Sequence, residues 1–327
     1  MKMSKVVKRS RVLVTGANGF IGRALCERLM AGGRPVIGAV RNDSAANSLP
    51  EGIERFTIGD IGPHTEWNAA LSGVDTVIHL AARAHVLEDG ASNNFAAYRG
   101  VNVAATQTLA QAAASMDVHR FLFLSSIKVI GEGRISAYTE GDECNPSGPY
   151  AVSKCEAERA LHAIADQTSL EVVILRPPLV YGPGVKANFL QLLKLVDKGI
   201  PLPLAGVKNQ RSLIYLENLL DAIITCIRQH KAAGQTYLVS DGNDISTPGL
   251  IKKIALALGK PSLVFPFPIK LLRMFAKIIG KIDAANRLVD SLTVNISKIR
   301  SELDWTPPFT MEDGLKETAK WYLKEFR

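Results

Sequence analysis

Val12-Leu13-Val14-Thr15-Gly16-Ala17-Asn18-Gly19-Phe20-Ile21-Gly22 is a short apolar strand that runs into glycines spaced three and three, with a helical pattern opening behind them. Glycine permits a tight turn after a strand and lets backbone N–H groups approach a pyrophosphate at a helix N-terminus. A bare glycine pattern is weak, but the flanking strand and helix supply its confirming context. Gly16, Asn18, Gly19, Phe20, Ile21 and Gly22 are therefore expected to line a dinucleotide.

Working outward, β-branched runs at residues 11–14, 35–40, 53–58, 74–80, 121–125 and 171–175 read as strands. Helical patterns at residues 19–30, 65–71, 98–114 and 149–165 fall between most of them. Such alternation implies an α/β fold, a Rossmann-type doubly wound parallel sheet covered on both faces. Ligands of these sheets bind beyond the carboxyl ends of the strands. After Pro177-Pro178 the pattern becomes helix-rich with proline and glycine punctuation, which predicts a second, smaller domain. Two later runs, residues 212–216 and 236–240, read as strands that rejoin the first domain.

With 327 residues, 47% hydrophobic and 21% charged, the chain can bury a full core in one large or two modest domains. A formal charge of +8 suits an anionic small molecule, and the scatter of the basic residues argues against nucleic acid. Cys26, Cys144, Cys155 and Cys226 show no paired spacing, which predicts reduced thiols and a cytoplasmic setting. The six histidines form no metal motif, so no metal is expected. No apolar window is long enough to span a bilayer, and no cleavable leader is recognisable, so no stable membrane insertion is expected. Within residues 268–281, Leu271, Leu272, Met274, Phe275, Ile278 and Ile279 alternate with Lys270, Arg273, Lys277 and Lys281. That stripe suits a membrane surface, but a helix packing its apolar side on the second domain is the favoured reading.

The end of the second strand bears on which dinucleotide is used. NAD sites offer an acidic side chain there to the ribose 2′-hydroxyl, and an arginine accommodates a 2′-phosphate. Here, 19 positions after Gly22, the chain reads Val40-Arg41-Asn42-Asp43. Arg41 favours NADP(H), while NAD(H) stays open because Asp43 can swing back. Gly59-Asp60-Ile61 follows the third strand, where Asp60 can accept from an adenine amino group.

Phe121-Leu122-Phe123-Leu124-Ser125-Ser126 is a strand ending in two hydroxyls, and Tyr150-Ala151-Val152-Ser153-Lys154 begins 24 positions after Ser126. The spacing of four places an ammonium one helical turn from a phenol. A free phenol titrates near pH ~10, and a neighbouring cation stabilises its anion, making tyrosine a usable acid or base.

These pieces continue through His79-Leu80-Ala81-Ala82, Val101-Asn102-Val103, Arg176-Pro177-Pro178-Leu179-Val180-Tyr181-Gly182-Pro183-Gly184 and Leu303-Asp304-Trp305-Thr306-Pro307. In that order they make the chain resemble, over nearly its whole length, the extended short-chain dehydrogenase/reductase family, the NAD-dependent epimerases and dehydratases of sugar nucleotides. The resemblance implies that Tyr150 gives or takes the proton at the sugar oxygen, with Ser126 as its hydrogen-bonding companion. It implies that Lys154 holds the nicotinamide ribose, and that Asp60, Ile61, Leu80, Ala81, Ala82, Asn102 and Pro177 are cofactor contacts. Asn188 and Arg211 would meet the diphosphate of a UDP-sugar, although Asn188 also suits a helix N-cap. Ser212 stands where the family has an aspartate after that arginine. Residues 8–178 would form the dinucleotide-binding domain, rejoined by 211–240, and residues 179–210 with 241–327 the sugar-nucleotide-binding domain. A homodimer through residues 98–114 and 149–165 is also implied.

Three reactions share this machinery. Family dehydratases carry an Asp-Glu pair where this chain has Ile127 and Lys128, which disfavours elimination. A 4-epimerase recycles its cofactor, whereas a 4-ketoreductase consumes a reduced one, in keeping with Arg41. Leu80-Ala81-Ala82-Arg83-Ala84-His85-Val86, Ser125-Ser126-Ile127-Lys128-Val129 and Gly184-Val185-Lys186-Ala187-Asn188-Phe189 are similar to bacterial reductases that make UDP-N-acetylquinovosamine from its 4-keto precursor for O-antigen assembly. On that likeness Arg83, His85 and Lys128 line the sugar pocket. A UDP-sugar 4-ketoreductase is the expectation, a UDP-glucose or UDP-N-acetylglucosamine 4-epimerase the alternative. A non-catalytic dinucleotide sensor is disfavoured because Tyr150 and Lys154 are both present.

Overall fold

In the computed structural model, residues 11–84 and 94–327 are described. In chain order the first half comprises β1 (Arg11–Thr15), α1 (Phe20–Ala31), β2 (Val36–Val40), α2 (Asp43–Asn47), β3 (Glu54–Thr57) and β4 (Val74–His79). It continues with α3 (Asn94–Arg99), α4 (Ala105–Ser115), β5 (Arg120–Leu124), α5 (Gly148–Gln167) and β6 (Glu171–Arg176). The second half comprises β7 (Leu179–Tyr181), α6 (Ala187–Asp197), β8 (Leu213–Tyr215), α7 (Leu216–Arg228), β9 (Thr236–Leu238), α8 (Thr247–Ala257), α9 (Ile269–Ile278), α10 (Ile282–Val289), α11 (Ser297–Leu303) and α12 (Met311–Phe326). The chain divides into two compact units. One contains the residues up to Ser125 with Pro146–Leu175 and Ile223–Thr236; the other contains Ser126–Asn145, Arg176–Ala222 and Tyr237–Arg327.

The seven-stranded sheet has the order β3-β2-β1-β4-β5-β6-β9, a Rossmann-type arrangement in which every pairing from β3 to β6 is parallel. The chain starts in the middle at β1, winds outward to β3, and returns to β4 on the other side. That reversal opens a crevice at the carboxyl ends of β1 and β4, where Thr15 lies opposite His79. Apolar runs such as Val12–Val14 form fully buried strands because helices cover both faces. One covering layer joins Leu13, Val77, Phe121 and Ile174 of the strands to Leu109 and Ala113 of α4 and Leu161 of α5. Truncating Leu109 to alanine is expected to cost about 2–5 kcal/mol.

Three local expectations meet a different outcome. Residues 65–67 are irregular and 68–71 are turn, not helix: the segment is short and is followed by Gly73, which has φ +70. Burial of Trp67 and Leu71 fixes it instead of helical propagation. The helix expected over residues 98–114 is interrupted by a π turn, Gly100–Ala104, between α3 and α4. Of the two late strands, β9 lies beside β6 in the large sheet, whereas β8 pairs with β7 in a separate two-stranded parallel sheet.

The second unit is built around a buried polar knot. Asp241 accepts from the Tyr181 hydroxyl at 2.8 Å, from the Tyr215 amide at 2.8 Å and from Asn218 Nδ2 at 2.7 Å. Burial pushes the Asp241 carboxyl up, and those hydrogen bonds oppose the shift. The expectation that the helix at 268–281 turns its apolar stripe onto the core is overturned. In α9 Ala276 is buried, whereas Leu271, Met274, Phe275 and Ile278 are 41%, 48%, 52% and 73% exposed. Among the described residues no helix is long and apolar enough to cross a membrane.

Candidate functional site

The loop between β1 and α1 is shaped by glycines that admit no side chain. A Cβ on Gly22 would lie 2.1 Å from the Gly16 carbonyl oxygen, and one on Gly16, whose φ is +67, would lie 2.9 Å from the Ala81 nitrogen. Gly19 N donates to Gly16 O at 2.9 Å, closing the turn that launches α1. No side chain caps α1 and no acidic residue stands in its first turn, so its leading N–H groups and dipole suit an anion. Leu80, Ala81 and Ala82 follow β4 beside this loop, half-buried. The buried Ser125 hydroxyl after β5 has no hydrogen-bond partner among the described residues, a donor suited to a ligand. Loop, helix end and orphaned hydroxyl fit a dinucleotide.

After β2 and β3, Arg41 Nε meets Asp60 Oδ1 at 2.8 Å, both side chains largely exposed. The two residues expected at opposite ends of the adenosine moiety are thus paired with each other; Ile61 beside them is half-buried. Asp43 begins α2 and accepts from Thr57 Oγ1 at 3.1 Å, while Asn42 caps that helix by accepting from Ala45 N. The carboxylate that could swing back to a ribose is engaged by the Thr57 hydroxyl of β3.

Beneath the glycine loop lies a chain of buried groups that sequence reasoning missed. His79 Nδ1 is 2.7 Å from Thr15 Oγ1, and Nε2 is 2.9 Å from Thr106 Oγ1. The Thr106 hydroxyl donates to Asn102 O and the Thr15 oxygen accepts from Ala81 N. These directions make His79 the Nε2–H tautomer, accepting at Nδ1 from Thr15. Burial, with the charge of Lys154 adding, pushes the imidazole down to about 3, so it stays neutral. The signal in sequence was only a histidine at a strand end.

α5 carries Tyr150 half-buried in its first turn and Lys154 buried one turn on. Lys154 Nζ donates to the Leu124 carbonyl at 2.8 Å and lies 4.2 Å from the centroid of the Phe123 ring. Burial brings its pKa down to about 7, with the charge of Glu158 opposing. Asn102, in the π turn, donates from Nδ2 to Arg83 O at 3.1 Å and to Ser153 Oγ at 2.9 Å, and accepts from Arg83 N at 2.8 Å. Ser153 in turn donates to Tyr150 O. Expected among the cofactor contacts, Asn102 has both amide hydrogens engaged by the protein and ties the segment after β4 to α5. The Arg83 guanidinium stands 5.8 Å from the Tyr98 ring centroid. His85 lies outside the described residues.

In the second unit Ser126 caps a single 3-10 turn, Ile127–Val129, by accepting from Lys128 N at 3.3 Å. Lys128 Nζ pairs with Glu132 Oε1 at 3.0 Å, and Pro177 is buried with its carbonyl accepting from Ile127 N. Arg211 NH1 donates to Asp290 O at 3.0 Å; burial pushes its guanidinium down, while Glu132 and Asp290 oppose. Ser212, standing in for an aspartate, donates to Asp244 Oδ1 at 2.5 Å, so a carboxylate from 32 residues downstream serves that corner. Asn188 is exposed within the first turn of α6 and is not its N-cap, which is Lys186. Ala187 before it has φ +50, strained for a residue with a Cβ. Among the described residues no group of three or more His, Cys, Asp or Glu could hold a metal.

Comparison with known proteins completes the picture. A UDP-glucose 4-epimerase of Vibrio cholerae is 44% identical over 96% of this chain and 95% of its own length. MoeE5, solved in complex with UDP-glucose and NAD, is 27% identical with a TM-score of 0.79, covering 97% of this chain and 100% of its own. UDP-glucuronic acid 4-epimerase from Bacillus cereus, solved with NAD, shares the fold at 22% identity and a TM-score of 0.79, covering 97% and 100%. Residues 12–240 match the NAD dependent epimerase/dehydratase family, and with that match and the Vibrio relative, the chain belongs to this family of nucleotide-sugar enzymes.

Proposed function

We propose that this enzyme acts at C4 of a UDP-linked hexose and works as a 4-ketoreductase, turning UDP-2-acetamido-2,6-dideoxy-4-keto-hexose into UDP-N-acetylquinovosamine. The observation that carries the reductive reading is the engagement of Asp43 by the Thr57 hydroxyl, which leaves Arg41 as the charged group at the end of β2 without a competing free carboxylate beside it in sequence. An arginine there favours NADPH, and a phosphorylated cofactor belongs to a reaction that consumes its reductant. Gly16, Gly19 and Gly22 with the α1 N-terminus would hold the pyrophosphate, and Arg41 the 2′-phosphate in exchange for Asp60. When bound, the nicotinamide supplies the hydride that C4 receives.

Tyr150 protonates the 4-keto oxygen, with Ser126 as its hydrogen-bonding companion. Lys154, held by the Leu124 carbonyl, lowers the cost of the tyrosinate that remains. Arg211, a half-buried guanidinium, meets the UDP diphosphate, and Lys128 with Arg83 faces the sugar. Ile127 and Lys128 supply no carboxylate pair for elimination. A homodimer through α4 and α5 belongs to the same proposal and is tested by analytical ultracentrifugation.

The 44% identity to a UDP-glucose 4-epimerase favours a second reading, in which the hydride returns to the same carbon and the cofactor is recycled. Two incubations separate them. UDP-2-acetamido-2,6-dideoxy-4-keto-glucose with NADPH is expected to consume one NADPH per carbinol formed. A 4-epimer made from UDP-N-acetylglucosamine or UDP-glucose without net redox, and no NADPH loss with the keto sugar, overturns the reductase in favour of the epimerase. Clearly better use of NADH than NADPH removes the argument from Arg41.

A further inference from the structure

α9 is amphipathic the wrong way round for a core helix. Leu271, Met274, Phe275 and Ile278 follow the i, i+3, i+4, i+7 spacing, so at about 100° per residue they share one arc of about 100°. That arc faces solvent, and Ile279 extends it at 65% exposure; beyond Ile279 the helix turns inward through half-buried Leu272 to buried Ala276. Lys270, Arg273 and Lys277 occupy the arc between, flanking the apolar face along one edge. Lys281 and Arg287 add to the same charge from α10 and its start, and Leu288 of α10 is exposed as well.

The geometry points to an anionic bilayer surface as the occupant of this face. Residues 268–290 carry five basic side chains, Lys270, Arg273, Lys277, Lys281 and Arg287, against two acidic ones, Asp283 and Asp290, a formal net charge of +3. Asp290 already pairs with Arg273 at 2.5 Å. An exposed apolar arc bordered by lysines is the arrangement of a helix that lies in the headgroup plane, its apolar residues below and its ammonium groups among lipid phosphates. Ten residues of α9 are too few to span a bilayer, so the contact is peripheral. A second copy of the chain is a poorer occupant, because a symmetric contact brings two like-charged segments together.

The test uses the full-length protein in flotation with vesicles of phosphatidylcholine alone and of phosphatidylcholine with about 30% phosphatidylglycerol, compositions chosen to vary surface charge only. Association is expected with the anionic vesicles, weakening as salt shortens the Debye length. A Phe275→Ser/Ile278→Ser variant and a Lys270→Glu/Lys277→Glu/Lys281→Glu variant are each expected to lose association by about tenfold or more. All five positions are exposed, and an unchanged thermal midpoint and dinucleotide titration establish that each variant is folded. The salt and lipid dependence of the unaltered protein tests the proposal even if one variant fails to fold. No association with anionic vesicles, or association that neither variant alters, overturns it. So does a dimer in sedimentation that Phe275→Ser/Ile278→Ser dissociates in the absence of any vesicle binding, which would assign the face to a second copy.

Discussion

α5 and α9 invert the usual rule of burial. α5 buries Lys154 at 1% exposure and Glu158 at 2%, whereas α9 leaves Phe275 at 52% and Ile278 at 73%. A buried ammonium survives because each of its needs is met nearby: a carbonyl at Leu124, the face of Phe123 and the charge of Glu158. An exposed phenylalanine costs little in the isolated chain and retains its driving force for a surface that covers it. Hydropathy therefore ranks these helices in the reverse of the order in which they are buried. What decides is the task assigned to each face.

The comparison breaks most decisively at Tyr150, on the side of α5 that the proposed chemistry uses. Tyr150→Phe is expected to lower turnover by about 10²–10⁴-fold while dinucleotide binding, followed by fluorescence titration, stays as it was. Undiminished turnover removes the reason for α5 to bury its lysine. Lys154→Met is expected to lose about 10²-fold in turnover and to alter the pH dependence of stability. The unfolded lysine keeps its proton up to 10.5, but the folded one releases it at about 7. Between those values the unfolded state binds more protons, so stability rises with pH across that window, and below it the contribution is constant. Urea midpoints at the two ends of the window should rise in the parent and rise less in Lys154→Met; an identical slope in both would place the lysine in water.

Smaller effects sharpen the contrast. The Glu158 charge supports the Lys154 proton, so Glu158→Gln is expected to move the limb of the activity profile governed by that lysine to lower pH. A drop in turnover at every pH without displacement of the limb would make Glu158 a packing residue alone. Smallest of all, Phe275→Ser on α9 is expected to change unfolding free energy by no more than about 0.5 kcal/mol, read from urea denaturation. A loss several times larger would mean that the exposed arc is packed in solution.

How much of this was legible follows from how far each signal travels along the chain. The glycine loop and the Tyr150 to Lys154 spacing are local, and local spacing survives folding unchanged, as do the apolar runs that became β1 to β6. The stripe on α9 was legible as a stripe, but periodicity does not say which side of a helix meets the protein. Thr15 and His79 stand 64 residues apart, and Ser212 and Asp244 stand 32 apart, so nothing in either neighbourhood announces the partner. Asn102 sits in a stretch whose helical pattern is continuous, and only the packing against Arg83 and Ser153 reveals the widened turn.

That widened turn has a consequence for how the chain tolerates change in length. A π turn fits more residues into one revolution than an α-helix does, so the Gly100–Ala104 segment is effectively an insertion held in place by its contacts. Deleting one residue there would let α3 run into α4 as an unbroken α-helix, a gain in regularity. The same deletion would rotate Asn102 away from Arg83 and Ser153 and release the segment after β4 from α5. At this point a more regular helix would forfeit the contacts that tie the segment after β4 to α5, and the irregularity is what an alignment gap in this position would erase.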